Sequence, residues 1–326
     1  MDESKTMKWG MIGCGSVTEL KSGPAYQKVD GIELHGVWSR TSDKAVDYAR
    51  RHGVPETFPS AEALIASPDI DGVYVATPPD THEYYALKVA EAGKPCCVEK
   101  PLAHHYESAK AIVDSFHSKD LPLFVAYYRR SLPRFSAIKN WLDEGRIGHV
   151  VHVHWELTKP PNNFDIDGAS NWRTDPAVAY GGYFEDLASH GLDLLMFMLG
   201  DIEDVSGFCT NQGGYYRAMD SVTASWVHSG HVTGSGFWNF LAHQRTDRAV
   251  ITGSEGRIIF SVFHESPVRL ENGEGVTERD IGNPENIQLH HVQGIRDFFM
   301  NGRPHPSTGA SALRANWVMA RILGQI

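Results

Sequence analysis

The chain has 326 residues, 41% of them hydrophobic and 21% charged, with a formal net charge of −10 when histidine is neutral. That length suits two ordinary domains. The acidic balance argues against a nucleic-acid or anionic-membrane partner, since both ask for a basic surface, but one local arginine still suffices to hold an anionic small molecule. The four cysteines, Cys14, Cys96, Cys97 and Cys209, show no C-x-x-C or other metal-type spacing. Cys96 and Cys97 stand in an apolar run and read as small buried residues. The opening MDESKTMKWG has no apolar signal core. No apolar run approaches the ~18–20 residues of a membrane span. The expectation is a cytoplasmic protein in a reducing compartment.

Short apolar runs alternate with helical patterns through the first third. Lys8–Ile12 reads as a strand, followed by the turn Gly13-Cys14-Gly15 and a helix from Val17 to about Val29, irregular at Gly23-Pro24. Glu33–Trp38 is strand-like, and Ser42–His52 is a helix stopped by Gly53 and Pro55. Ala61–Ala66 is a short helix, and Gly72–Ala76 a strand closed by Thr77-Pro78-Pro79. Thr81–Ala92 is a helix and Pro95–Val98 a strand leading to Glu99-Lys100-Pro101. Tyr106–Lys119 is a helix and Leu123–Ala126 a strand. Repeated βα units with short connections predict a doubly wound parallel sheet, a Rossmann arrangement, over residues 1–126.

The pattern changes after Tyr127. Leu132–Glu144 is an amphipathic helix. Strands then dominate, at Val150–Leu157, Asp204–Thr210, Ser221–His228, Val232–Phe240, Ala249–Gly253 and Arg257–Phe263. A helix is predicted over Phe184–Leu199 and another over Ser311–Leu323. Residues 127–326 therefore read as an α+β domain with a large, mostly antiparallel open sheet and helices on one face.

Gly13-Cys14-Gly15-Ser16-Val17-Thr18 follows a strand and opens a helix, the setting in which glycines let a backbone approach a pyrophosphate. Thr18 replaces the third glycine of that fingerprint, so looser helix–strand packing is expected there. The second strand ends in Ser39-Arg40-Thr41, where an acidic residue usually holds the ribose hydroxyls. A hydroxyl and a guanidinium suit a 2′-phosphate, which leans toward NADP over NAD; stacking of Arg40 on adenine would serve either cofactor. Thr77 and Pro78, His82, and Glu99 with Lys100 lie at strand ends or helix starts on the ligand-binding edge of such a sheet, and complete the candidate cofactor set with Gly13, Gly15, Ser16, Val17, Ser39 and Arg40.

Asp186 and His190 are four residues apart on a predicted helix and so share a face. Histidine's unperturbed pKa, ~6.5, suits exchange of a hydroxyl proton, and a neighbouring carboxylate can orient the ring. Lys100 offers an ammonium to stabilise alkoxide charge or to donate the proton itself; which of Lys100 and His190 moves the proton stays open. Tyr128 and Arg129 follow the last parallel strand, and Trp172 and Arg173 lie in the loop before the Asp186 helix. All four are candidate substrate contacts, along with Lys100, Asp186 and His190. His152, His154 and Glu156 share one face of a strand, which reads as an interface or solvated face, and no metal is expected.

The segments Ala76-Thr77-Pro78-Pro79-Asp80-Thr81-His82 and Val98-Glu99-Lys100-Pro101-Leu102 resemble the glucose–fructose oxidoreductase / inositol dehydrogenase / rhizopine-catabolism family, Gfo/Idh/MocA. The likeness continues through Tyr128-Arg129-Arg130, Asn171-Trp172-Arg173, Gly181 to His190 and Gly253-Ser254-Glu255-Gly256, essentially the whole chain. The resemblance implies an NAD(P)-dependent sugar or polyol oxidoreductase, with Lys100 as the active-site lysine and Asp186 and His190 as the substrate-binding and acid/base pair. It also implies a homodimer or homotetramer formed through the second sheet. Gly-Gly-Tyr-Phe at residues 181–184 departs from the family's commoner three glycines, which bears on pocket shape. Two other functions are compatible with such a chain: a non-catalytic NAD(P) sensor, and a glycoside hydrolase that uses NAD transiently.

Overall fold

The computed structural model describes residues 6–169 and 171–326; residues 1–5, the start of the stretch read for a signal core, lie outside the described residues, as does residue 170. The chain divides into two compact units, one of residues up to 132 with 284–313, the other of 133–283 with 314–326.

The first unit contains β1 (Met7–Ile12), α1 (Ser16–Leu20), α2 (Gly23–Lys28), β2 (Ile32–Trp38), α3 (Ser42–His52), β3 (Glu56–Thr57), α4 (Ala61–Ala66), β4 (Gly72–Val75), α5 (His82–Glu91), β5 (Cys96–Val98), α6 (Tyr106–Ser118) and β6 (Leu123–Val125). Its six strands form one parallel sheet in the order β3-β2-β1-β4-β5-β6. This is the doubly wound order, which reverses direction between β1 and β4 and opens a crevice at the strand ends there. The strands β4, β5 and β6 are buried throughout, as continuous apolar runs covered on both faces should be. Cys96 and Cys97 are fully buried, as their apolar run implied.

The helix expected from Val17 to about Val29 is instead two, α1 and α2, because Pro24 lacks an amide hydrogen and belongs to a first helical turn. The packing expected to loosen at Thr18 does not loosen. Thr18 is fully buried, its hydroxyl donates to the Gly15 carbonyl at 2.8 Å, and Tyr48 Oη donates to its own carbonyl at 2.9 Å. Close approach has moved to Gly23, where a Cβ would collide with the Tyr48 hydroxyl and the Thr18 carbonyl.

The second unit contains α7 (Pro133–Asp143), β7 (Val150–Thr158), α8 (Asn163–Ile166), α9 (Tyr183–Leu199), β8 (Ile202–Thr210), β9 (Ser221–His228), β10 (Thr233–Asn239), β11 (Thr246–Gly253), β12 (Gly256–Phe260), β13 (Val268–Asn272) and β14 (Gly275–Arg279). Its eight strands run in the order β14-β13-β12-β11-β7-β10-β9-β8, and only the central β7–β10 pair is parallel. The hairpin β13–β14 was not anticipated; β14 is exposed along its whole length and so shows no buried face to read. One face of the sheet carries Trp155, Trp226 and Trp238, with the Trp155 and Trp238 rings edge to face at 5.6 Å. Phe184 of α9 packs on Trp238 at 5.0 Å. Gly191 of α9 leaves room for the Trp155 ring, so helix and sheet meet closely at that turn.

The helix α10 (Leu289–Asn301) follows, and α11 (Gly309–Ile322) ends the chain's secondary structure. The expected division at 126/127 assigned everything beyond it to the second domain. The observed units differ because α10 packs into the first sheet's core through Val292 and Ile295, with Phe298 edge-on to Phe124 at 5.3 Å.

Glu185 of α9 is buried, and this desolvation pushes its carboxyl up to about 8 against an opposing backbone hydrogen bond from Gly181. The unfolded chain releases that proton near 4.5 while the folded chain keeps it to about 8, so this group lowers stability as pH rises through that window. In Glu185→Gln the fall in Tm between about pH 5 and about pH 8 should shrink by at least ~2 °C, read by thermal denaturation. Parallel curves for variant and wild type would assign the pH dependence elsewhere.

Candidate active site

In the first unit a groove of about 260 Å³ lies along the ends of β1, β2 and β4. Gly13, Gly15, Ser39, Arg40, Thr77 and Pro78 line it, all of them residues singled out from the sequence. Gly13 adopts φ +109°, and a Cβ there would lie 2.7 Å from the Ala76 carbonyl oxygen, so the turn excludes any side chain. A Cβ on Gly15 would meet no protein atom within 4 Å, which leaves that space for a ligand. Ser16 and Val17 open α1 directly behind it. The shape and donors fit a dinucleotide: a glycine turn at a helix start for the pyrophosphate, then hydroxyls and cations at the end of β2. Sequence reasoning missed Lys44 and Tyr85, which also line the groove. Lys44 lies in the first turn of α3, four residues after Arg40. Burial pushes the Cys14 thiol up to about 12, so it is an inert part of the wall.

His82 does not line the groove. It is fully buried, with Nε2 2.8 Å from the Thr77 carbonyl and Nδ1 3.0 Å from that of Pro101. Burial holds its pKa below the ordinary value. The ring lies between the turn after β4 and the turn after β5, where a neutral imidazole donates to one of these two carbonyls. Glu99, also buried, accepts from Tyr74 Oη at 2.7 Å, from Gln288 Nε2 at 2.8 Å and from the Lys100 amide at 3.1 Å. It therefore acts on the backbone that presents Lys100. Lys100 is half-buried at the end of β5, and its bond to Pro101 is cis. Tyr128 and Arg129 occupy a buried 3-10 turn after β6, with the guanidinium 5.3 Å over the Tyr128 ring.

In the second unit Asp186 and His190 lie on α9, one turn apart as their spacing predicted. His190 is buried and edge-on to Phe263 at 5.9 Å. Asp186 Oδ2 accepts from Arg173 Nε at 2.6 Å, and the Arg173 guanidinium stacks on Trp172 at 4.3 Å. Trp172 and Arg173 form a 3-10 turn after Asn171, whose side chain caps it by accepting from the Arg173 amide at 3.1 Å. The loop residues and the helix residues expected to act together are thus joined within this unit.

The same helix face carries a residue that was not anticipated. Tyr183 stands one turn before Asp186, its hydroxyl donating to Asp165 (2.9 Å to Oδ2) and accepting from Asn162 Nδ2 at 2.7 Å and Asn171 Nδ2 at 2.8 Å. Burial and the Asp165 carboxylate push this phenol up to about 12. Lys159, directly after β7, places Nζ 3.7 Å over the Tyr183 ring. A cleft of about 230 Å³ opens beside Asp165 and Asn171, with Tyr215 and Arg217 on its far wall. A polar run thus leads from this cleft through Tyr183 and Arg173 to Asp186.

His152 bonds to Thr233 and Ser235 at 2.9 and 3.1 Å, and His154 to Ser235 at 2.9 Å, across the β7–β10 pairing. Among the described residues there is no group of three or more side chains arranged to hold a metal, and no helix is long and apolar enough to cross a membrane.

Residues 7–127 match the model of an oxidoreductase family with an NAD-binding Rossmann fold, Gfo/Idh/MocA, and residues 135–259 match the Gfo/Idh/MocA C-terminal domain. Oxidoreductase P35 of Formosa agariphila is 34% identical over 316 residues, 96% of this chain and 97% of that protein. Inositol 2-dehydrogenase of Rhizobium meliloti is 27% identical over 293 residues, 83% and 81% of the two chains. A solved structure of levoglucosan dehydrogenase, in complex with NADH and levoglucosan, shares the fold with a TM-score of 0.85 at 21% identity, covering 98% of this chain and 96% of that one. The chain belongs to the Gfo/Idh/MocA family of oxidoreductases, and its first unit is that family's NAD-binding Rossmann fold.

Proposed function

We propose that this oxidoreductase moves a hydride between NAD(P) and a hydroxyl or carbonyl carbon of a sugar or polyol. The observation that carries the reading is the α9 face on which Asp186 and His190 stand one turn apart, with Asp186 fixed by Arg173. Inositol 2-dehydrogenase and levoglucosan dehydrogenase among the similar proteins support the substrate class. A nicotinamide held by the first unit supplies the hydride acceptor or donor. His190 takes the hydroxyl proton as the hydride leaves, and returns it in the reverse direction. Lys100 stabilises the negative charge that develops on that oxygen as its proton leaves. Asp186, oriented by Arg173, positions His190 or grips a neighbouring hydroxyl. Tyr128, Arg129 and Trp172 contribute to holding the substrate, and Trp172 offers an aromatic face for its C–H surface.

NADP is the preferred cofactor in this reading, because Ser39, Arg40 and Lys44 together offer a hydroxyl and two cations to a 2′-phosphate. The assembly is a homodimer or homotetramer formed through the open sheet. Phe208, Thr223 and Phe237 lie opposite one another on β8, β9 and β10, and both phenylalanines are exposed, Phe208 by 76%. An exposed aromatic row of this kind is best accounted for by a partner surface.

Lys100→Ala and His190→Ala should each lower kcat at least ~10²-fold while cofactor affinity stays within a few-fold, measured by absorbance of reduced nicotinamide over a panel of sugars and polyols. Near-normal turnover in both variants would sink the assignment. For the cofactor, Arg40→Ala should weaken NADPH binding by ~10-fold or more and change NADH binding far less, by calorimetry on the full chain; equal losses for both would point to adenine stacking. For the assembly, Phe208→Glu combined with Phe237→Glu should reduce the mass measured by light scattering to that of one chain. An unchanged oligomer would place the interface on another surface.

A further inference from the structure

We propose that Lys159 is a specificity-determining residue of this enzyme and that it selects a sugar bearing one carboxylate, a uronic or aldonic acid, over its neutral counterpart. The inference rests on the sugar-oxidoreductase reading above and narrows its substrate class.

The strand register places Lys159. Thr158 pairs with Asn239 on the parallel neighbour β10 and with Thr246 on the antiparallel neighbour β11, so the next residue emerges between Phe240 and Arg245. The Lys159 amide donates to the Asn239 carbonyl at 2.9 Å, which fixes the start of the side chain. Its ammonium then lies 3.7 Å over the Tyr183 ring and 5.7 Å from the Phe240 ring. Tyr183 and Asp186 share a face of α9, so Lys159 addresses the helix surface that carries Asp186 and His190.

Charged groups of both signs surround it. Asp165 from α8, Asp186 from α9, Arg173 from the 3-10 turn and Arg245 from the loop before β11 all act on Lys159. Both carboxylates are already engaged, Asp165 by the Tyr183 hydroxyl and Asn162, Asp186 by Arg173. The carboxylates near Lys159 are thus shared with other donors, and a substrate carboxylate would give the half-buried ammonium a partner of its own. Desolvation also pushes the Lys159 ammonium down to about 8, a cost that a bound anion would relieve. A neutral sugar would leave that cost in place.

The test is calorimetric binding of matched pairs, glucuronate with glucose, galacturonate with galactose and mannuronate with mannose, to the full chain saturated with NADP+. Wild type should bind the acid of at least one pair ~10-fold more tightly than its neutral partner at about pH 7. That ratio should fall toward one in Lys159→Met and be restored in Lys159→Arg. In wild type it should also fall by about pH 9.5, as the lysine loses its proton, and in Lys159→Arg it should not. Tyr183, held up to about 12, keeps its proton throughout. No acid preference in any pair, or a preference that survives Lys159→Met, would overturn the proposal. Turnover is followed separately in the same samples: acid binding that depends on Lys159 but brings no cofactor reduction would leave this assignment standing and remove the oxidoreductase reading of the site.

Discussion

A buried carboxylate at the end of a parallel strand organises the first unit. Burying the Glu99 carboxyl is offset by three donors that replace its hydration: Tyr74 from β4, Gln288 from just before α10, and the amide of Lys100. Those donors come from three separate parts of the chain. Satisfying one side chain therefore ties the middle of the sheet to the returning C-terminal segment and fixes the backbone that presents Lys100. His82, fully buried, sits between the carbonyls of Thr77 and Pro101. The turn after β4 and the backbone of Lys100 are thus held by buried polar side chains.

The second unit meets the same need differently. Its polar side chains are strung along one face of α9, and each loop residue on that face is held by another: Asn171 caps the turn that carries Arg173, Arg173 holds Asp186, and Tyr183 gathers Asp165, Asn162 and Asn171 around one hydroxyl. The helix is rigid because its other faces are packed on the tryptophan layer of the sheet, through Phe184 and the close approach at Gly191. A loop of low regularity is thereby given a definite geometry, the kind of preorganisation that binding a hydroxyl-rich ligand requires.

Much of this was legible beforehand, and the misses share a cause. The parallel sheet was read correctly because its strands are short apolar runs between glycine and proline punctuation, and Asp186 and His190 were paired because helical periodicity alone puts them on one face. Lys44, Tyr85, Lys159 and Tyr183 were not singled out. Each is ordinary in sequence, and Tyr85, Lys159 and Tyr183 acquire meaning only from neighbours distant along the chain, while Lys44 does so from its place in the groove. The helix α10 was not anticipated, and its place in the first unit depends on which sheet covers Val292 and Ile295, something their apolar character does not specify.

By itself the sequence determined the local pattern: where the chain turns, that the first third alternates strand and helix into a parallel sheet, that glycines form the turn after β1, and that Asp186 and His190 share a helix face. These follow from backbone sterics and side-chain periodicity, which act over a few residues. Only the tertiary structure decided the supporting contacts: that Gly23 rather than residue 18 takes the close approach, that His82 is buried against the Thr77 carbonyl, that Glu99 accepts from Gln288, and that Lys159 faces Tyr183. Those depend on register and packing between segments far apart in sequence, where desolvation, rather than local propensity, selects the partner.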